Sequence, residues 1–150
     1  MNVVAKKSLG QNFLIDEKIL NLIVGLGNIT SNDIVLEVGP GTGNLTEKIL
    51  KKGPKKIIVV EKDANLSMNL KKKFNKDIIV INDDILNYNQ SYLYKKKIII
   101  FGNLPYNIST QILISWIKIN NLNNFCKKFI LMFQKEVADR ILADFNNKNY

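Results

Sequence analysis

The sequence predicts an α/β fold with a doubly wound, Rossmann-like parallel sheet, on three observations. Short apolar runs alternate with helical stretches, the pattern of parallel strands joined by crossover helices. A glycine-rich segment, Glu37-Val38-Gly39-Pro40-Gly41-Thr42-Gly43, follows the first apolar run and opens a helical stretch. The tetrapeptide Asn103-Leu104-Pro105-Tyr106 sits just past the β-branched run Lys97-Ile98-Ile99-Ile100-Phe101-Gly102. That is the carboxyl end of a buried strand, where open α/β sheets place their ligands.

The elements follow in order. A helix is expected from Asp16 to about Leu26, with Asp16 as N-cap and Ile19, Leu20, Ile23, Val24 and Leu26 on a wide apolar face. Ile34–Val38 is the first strand, and Thr42–Lys52 a helix stopped by Gly53-Pro54. Lys56–Glu61 is the second strand, Ala64–Phe74 a helix and Asp77–Asn82 the third strand. Ile98–Gly102 is the fourth, followed by a helix over Ser109–Ile119 and an asparagine-rich loop near Asn120–Asn124. Lys127–Gln134 is the fifth strand, and a helix begins at Lys135–Leu142. No internal repeat is present.

Composition narrows the class. A chain of 150 residues is one domain or a piece of one, able to bury roughly 70% of its unfolded surface. Its hydrophobic and charged fractions, 46% and 23%, are those of a soluble globular protein. No apolar stretch approaches the ~20 residues that span a bilayer, so no membrane partner is expected. The start, Met1 to Lys7, lacks an apolar signal core, and a cytoplasmic location is expected. Cys126 is the single cysteine and there is no histidine, which excludes an internal disulfide, a cysteine-based zinc site and histidine acid–base chemistry; no metal is expected. The net charge of +9 favours a polyanionic partner, most often nucleic acid. All the basic residues but Arg140 are lysines, a pattern that AT-rich coding also produces.

The glycine segment has the spacing G-x-G-x-G preceded by Glu, with the third glycine one residue earlier than in the dinucleotide fingerprint. Gly39 and Gly41 let the backbone turn sharply and approach a ligand. This suits S-adenosylmethionine better than NAD, since no pyrophosphate needs cradling. Glu61 ends the second strand, where a carboxylate can accept from both ribose hydroxyls, though pairing with Lys62 is the plainer role. Asp84, after the third strand, can bind the exocyclic amine of a cofactor adenine; Asp83 reads better as a turn cap.

The Asn103–Tyr106 block suits the amine of a flat heterocycle. The side-chain oxygen of Asn103 and the carbonyl of Leu104 can accept its two hydrogens, freeing the lone pair from the ring. Pro105 holds the backbone in an extended kink, and Tyr106 can stack on the base, worth ~1–3 kcal/mol. A sulfonium methyl is already electrophilic, so transfer to an adenine amine needs mainly in-line positioning. Ahead of the first helix, Lys6 and Lys7 lead a polar, then apolar segment that could close over the cofactor with its lysines near substrate phosphates.

Together these blocks resemble one family: the small-subunit ribosomal RNA adenine dimethyltransferases, known for kasugamycin sensitivity in bacteria. Leu9-Gly10-Gln11-Asn12-Phe13-Leu14 resembles its N-terminal cofactor motif, and Glu37–Gly43 its glycine loop. Val60-Glu61-Lys62-Asp63 resembles its ribose-binding strand end, and Asp84 its adenine-binding aspartate. Phe101 to Thr110 resembles its catalytic block nearly letter for letter, and Phe133 to Arg140 the segment after strand five. Asn-Leu-Pro-Tyr, rather than Asn-Pro-Pro-Tyr, argues against DNA adenine and protein glutamine methyltransferases. The resemblance implies cofactor contacts at Asn12, Leu14, Gly39, Glu61, Asp84 and Asn103, and catalytic contacts at Asn103, Leu104 and Tyr106. It implies transfer of two methyls to each of two adjacent adenosines in a 3′-terminal hairpin of small-subunit rRNA, on the immature 30S subunit, by a monomer. Target adenines in a loop can be flipped into a pocket.

The family also carries a second base-stacking aromatic and a small helical C-terminal domain, in later segments than these. A sheet of this type usually has two more strands. The expectation is therefore that residues 1–150 form a cofactor-binding catalytic domain lacking its last strands, with an exposed edge at strand five. Alone, it is expected to bind cofactor and methylate poorly or not at all. Two other readings remain: a non-catalytic RNA-binding assembly factor with the same fold, and a nicotinamide dehydrogenase, disfavoured by the glycine spacing and the lack of histidine.

Overall fold

The computed structural model describes residues 12–88, 97–104, 108–119 and 122–143. Five strands, β1 (Ile34–Val38), β2 (Lys56–Glu61), β3 (Ile79–Asn82), β4 (Ile98–Asn103) and β5 (Cys126–Met132), form one sheet in the order β3-β2-β1-β4-β5. Every pairing is parallel. The helices are α1 (Glu17–Gly27), α2 (Asn44–Leu50), α3 (Ala64–Phe74), α4 (Ser109–Ile117), α5 (Leu122–Phe125) and α6 (Lys135–Leu142).

Both faces of the sheet are covered, which is why the strands read as continuous apolar runs. Val35, Ile57, Val59, Ile99 and Phe101 point to one face and pack with Leu20, Ile23 and Val24 of α1, Ile49 of α2 and Leu70 and Phe74 of α3. Leu36, Val38, Ile58, Val60 and Ile100 point to the other, with Ile112 and Trp116 of α4 and Phe125 of α5. Trp116 stacks on Phe129 of β5, ring centres 5.4 Å apart. After β3 the chain returns across the sheet to place β4 beside β1. That reversal opens a cleft at the carboxyl ends of β1 and β4.

Local signals account for most boundaries. Asp16 caps α1, its carboxylate accepting from Lys18 N at 2.8 Å and Ile19 N at 3.1 Å. Asp63 caps α3 in the same way. The differences have local causes. α2 starts at Asn44, not Thr42, because Gly43 holds a left-handed φ of +81° that no helix contains. It ends at Leu50, before the expected Lys52. β3 begins at Ile79, since Asp77 N still bonds the carbonyl of Phe74 in a turn. β4 runs one residue further, to Asn103, and α4 stops at Ile117. β5 lies one to two residues earlier than expected, ending at Met132. The segment read as an asparagine-rich loop contains α5, anchored by the buried Phe125. Among the described residues β5 is an outer strand of the sheet and mostly half-buried.

Gly43 illustrates how tightly the loop is held. A Cβ there would lie 2.6 Å from Phe74 Cε2 and 2.9 Å from Leu70 Cδ2. The left-handed φ and the overpacking together put the cost of Gly43→Ala at roughly 2–5 kcal/mol. A lowered urea midpoint with an unchanged slope is the expected result.

Candidate active site

The cleft is built from the ends of four parallel strands. Beyond β1 the chain turns through Gly39 and Gly41, both left-handed with φ of +68° and +58°. The N–H of Gly39 donates to the carbonyl of Val60, tying the loop to β2. A Cβ on Gly39 would sit 3.2 Å from the Asn103 carbonyl oxygen, and one on Gly41 2.9 Å from the Phe13 ring. Both glycines are thus required by conformation and by space.

Glu61, at the end of β2, is 6% exposed. Its carboxylate accepts from Gly41 N at 3.1 Å and from Asp63 N at 2.9 Å, one bond to each oxygen. Burial pushes this carboxyl above the ordinary range, against the pull of the Asp63, Gly41 and Lys62 N–H groups, and the Asp63 charge adds to the rise. Each oxygen keeps a lone pair for a further donor, the capacity a diol requires. The Lys62 ammonium is not its partner; it reaches Asp84 at 2.8 Å.

Asp84 therefore sits in a fixed pose. One oxygen takes the Lys62 ammonium and the other the Leu86 N–H at 3.0 Å. The Lys62 hydrogen bond holds its pKa below the ordinary carboxylate value, outweighing burial. Asp83 caps its own turn, accepting from Asp84 N at 2.7 Å, as expected. Asn82 bonds the carbonyls of Glu61 and Lys62 and so clamps the β2 end against β3.

Asn103 closes the cleft from β4. Its Nδ2 donates to the Asn12 carbonyl at 2.7 Å, which leaves Oδ1 as the acceptor end of the amide. Asn44, at the start of α2, donates to the Leu14 carbonyl at 2.9 Å. The segment Asn12–Leu14 is thus pinned over the glycine loop from both sides. Leu104 is buried and folds back over Gly102, where a Cβ would come within 2.7 Å of its Cδ2.

Glu37, the only acid within β1, carried no role in the sequence beyond leading the glycine loop. It is 1% exposed, lines the cleft, and its Oε2 has no hydrogen-bond partner among the described residues. Burial pushes its carboxyl up to about 7; the nearby Thr46 hydroxyl pulls down and the Glu61 charge pushes further up. A lone carboxylate in a strand covered on both faces was the signal that could have found it.

The structure brings Asn12, Leu14, Gly39, Gly41, Glu61, Asp84, Asn103 and Leu104 around one cleft. Lys6, Lys7, Pro105 and Tyr106 lie outside the described residues. Phe13, Glu37, Asn44 and Lys62 join the site without having been singled out for it. Among the described residues no group of three or more acids and cysteines could hold a metal ion, and no helix is long and apolar enough to cross a membrane.

Glu61→Gln tests the carboxylate expected to hold a ribose. The amide would turn an N–H against one of the two backbone donors, a mismatch of about 1–3 kcal/mol. The dissociation constant for S-adenosylmethionine, measured by calorimetry, is expected to rise roughly tenfold or more.

Known proteins resemble this chain. A model of the ribosomal RNA adenine dimethylases matches residues 2–150. A ribosomal RNA small subunit methyltransferase A of Pelagibacter ubique is 57% identical over 150 residues, all of this chain and 57% of that protein. The protein of the same name from Ehrlichia ruminantium is 44% identical over 148 residues, 97% of this chain and 55% of that protein. A dimethyladenosine transferase from Plasmodium falciparum superposes with a TM-score of 0.79 at 33% identity, over 93% of this chain and 49% of the other. The chain spans about half the length of the curated relatives it matches. With its glycine loop, strand-end acids and Asn103 in one cleft, and a family match running from residue 2 to residue 150, the chain belongs to the ribosomal RNA adenine dimethylase family.

Proposed function

We propose that this chain carries the cofactor-binding and catalytic part of an S-adenosylmethionine-dependent rRNA adenine dimethyltransferase. Its substrate would be two adjacent adenosines in the 3′-terminal hairpin of small-subunit rRNA, met on the immature subunit. The relatives' names support the small-subunit target. The observation that carries the reading is the meeting of Asn103 with the glycine loop, its carbonyl 3.2 Å from where a Gly39 Cβ would be.

The residues present fit the cofactor. Gly39 and Gly41 line the cleft with bare backbone, the Glu61 carboxylate lines it beside them, and the buried Glu37 Oε2 has no partner among the described residues. When bound, S-adenosylmethionine supplies an electrophilic methyl group. Glu61 would hold the ribose, Asp84 the adenine amine, and Asn12 and Leu14 would add further cofactor contacts. Asn103 Oδ1 and the Leu104 carbonyl would take the two hydrogens of the target amine. That pull raises the amine's nucleophilicity without a general base, in agreement with a chain lacking histidine. In the same reading Pro105 sets the backbone kink, Tyr106 stacks on the base, and Lys6 and Lys7 meet phosphates.

The test is radiolabel transfer from S-adenosylmethionine to unmethylated small subunits. This chain and a C-terminally extended version would run side by side. Dimethyladenosine in the product supports the reading. Cofactor binding without any incorporation by either version overturns it.

A further inference from the structure

The net charge of +9 is not spread evenly. The carboxyl end of the sheet, where the cleft opens, is acid-rich: Glu37, Glu61, Asp63, Asp83 and Asp84 lie there, and Lys62 is held by Asp84. The opposite end is basic. Lys52 and Lys55 lie between α2 and β2, Lys56 opens β2, Lys76 precedes β3, Lys97 precedes β4 and Lys118 follows α4. The parallel register aligns these strand starts, Ile34 opposite both Lys56 and Ile98, so the lysines share one rim. All six are exposed, and none pairs with a carboxylate among the described residues.

Helix ends explain part of this, since a cation complements the negative end of a helix. Lys52 and Lys118 meet that description. Lys97 lies near the end of α5, since Ile98 pairs with Cys126, but α5 is a single turn of four residues with little dipole to offer. Asp33 and Asp77 lie at the same end, but Asp33 is held by Lys127 at 2.7 Å, so the exposed charge there is mainly positive, the footprint of a polyanion.

We propose that this amino-terminal rim is a second RNA-binding surface, gripping phosphate backbone on the side of the domain away from the cleft. The inference rests on the proposed rRNA substrate for its partner class. A β-strand of this length puts the rim roughly 17 Å from the strand ends that form the cleft. RNA that touches both must wrap the domain, so the rim favours large folded RNA over a short hairpin. The acidic cleft then meets the target base, while the phosphate charge is neutralised elsewhere.

The experiment measures RNA binding without methyl transfer, so it reads out whether or not the chain is catalytic. The variant Lys52→Gln/Lys55→Gln/Lys56→Gln/Lys97→Gln would be compared with the parent on protein-free small-subunit rRNA and on its isolated 3′-terminal hairpin, across a salt series. The expected result is roughly tenfold or greater weakening on the long RNA and a salt slope shallower by about two to four, near 0.9 per lost phosphate contact. Binding to the short hairpin should change little. The same four positions as arginine should retain the parent's affinity. Thermal unfolding and S-adenosylmethionine affinity serve as folding controls. A folded glutamine variant with unchanged slope and affinity on the long RNA overturns the proposal, as does equal weakening on both RNAs. Loss of methylation with the rim effect intact would count against the catalytic reading alone.

Discussion

Asn103→Ala is expected to lower methyl transfer by about 10²–10³-fold at saturating cofactor, the range for removing one preorganised polar group from a reacting centre. The side chain joins two tasks. Its Nδ2 donates to the Asn12 carbonyl at 2.7 Å, and under the proposed function its Oδ1 accepts from the target amine. The substitution therefore removes the acceptor and also releases the segment over the glycine loop. Cofactor affinity should weaken only severalfold, as for one neutral hydrogen bond worth about 1 kcal/mol. Single-turnover rates at saturating S-adenosylmethionine separate the two effects. A rate within threefold of the parent would remove Asn103 from the chemistry. The Asn103 side chain is only half-buried, so the fold should survive the change.

Glu37→Gln is expected to stabilise the cofactor-free protein at pH 8 and to flatten its dependence on pH. The folded carboxyl titrates at about 7 against an ordinary value of 4.5. The folded state then holds its proton over a range where the unfolded state has lost it. Stability is full below pH 4.5, falls as pH rises through about 7, and levels off above. The total is up to about 3 kcal/mol. Glutamine keeps the shape without the charge, so it should resemble the parent at pH 5 and exceed it at pH 8. Glu61, shifted upward by the same cause, leaves a smaller slope of the same sign. Urea unfolding at pH 5 and pH 8 measures the difference. A variant equal to the parent at pH 8 would mean that Glu37 is charged in the folded state at no cost.

The sequence made the sheet legible because parallel strands covered on both faces must be apolar throughout. Ile34–Val38 and Lys56–Glu61 were readable to the residue for that reason. Asp16 and Asp63 announced their helices through capping chemistry. The start of α2 was not legible, because Thr42 and Gly43 look helical until the left-handed φ of the glycine is known. α5 was hidden by composition, since Asn123 and Asn124 mask the burial of Phe125. In the site, the glycine loop, Glu61, Asp84 and Asn103 were visible because ligands gather at strand ends. The pairing of Lys62 with Asp84 was not, as it joins two loops across the sheet. The burial of Glu37 was signalled only by its place in a strand covered on both faces, and the Thr46 hydroxyl of α2 beside it was not legible.

The strand order also dictates when the site can exist during synthesis. β1 is made early and pairs with β2, yet its other edge waits for β4, Ile34 for Ile98. Until residue 103 has emerged from the ribosome, the glycine loop has no Asn103 to face, and the central strand of the sheet is an open edge. Such late, non-local pairing folds slowly and leaves a nascent chain prone to stick to others. The cleft is thus completed only when β4 docks, and a chaperone that shields the edge of β1 until then would protect the step on which the site depends.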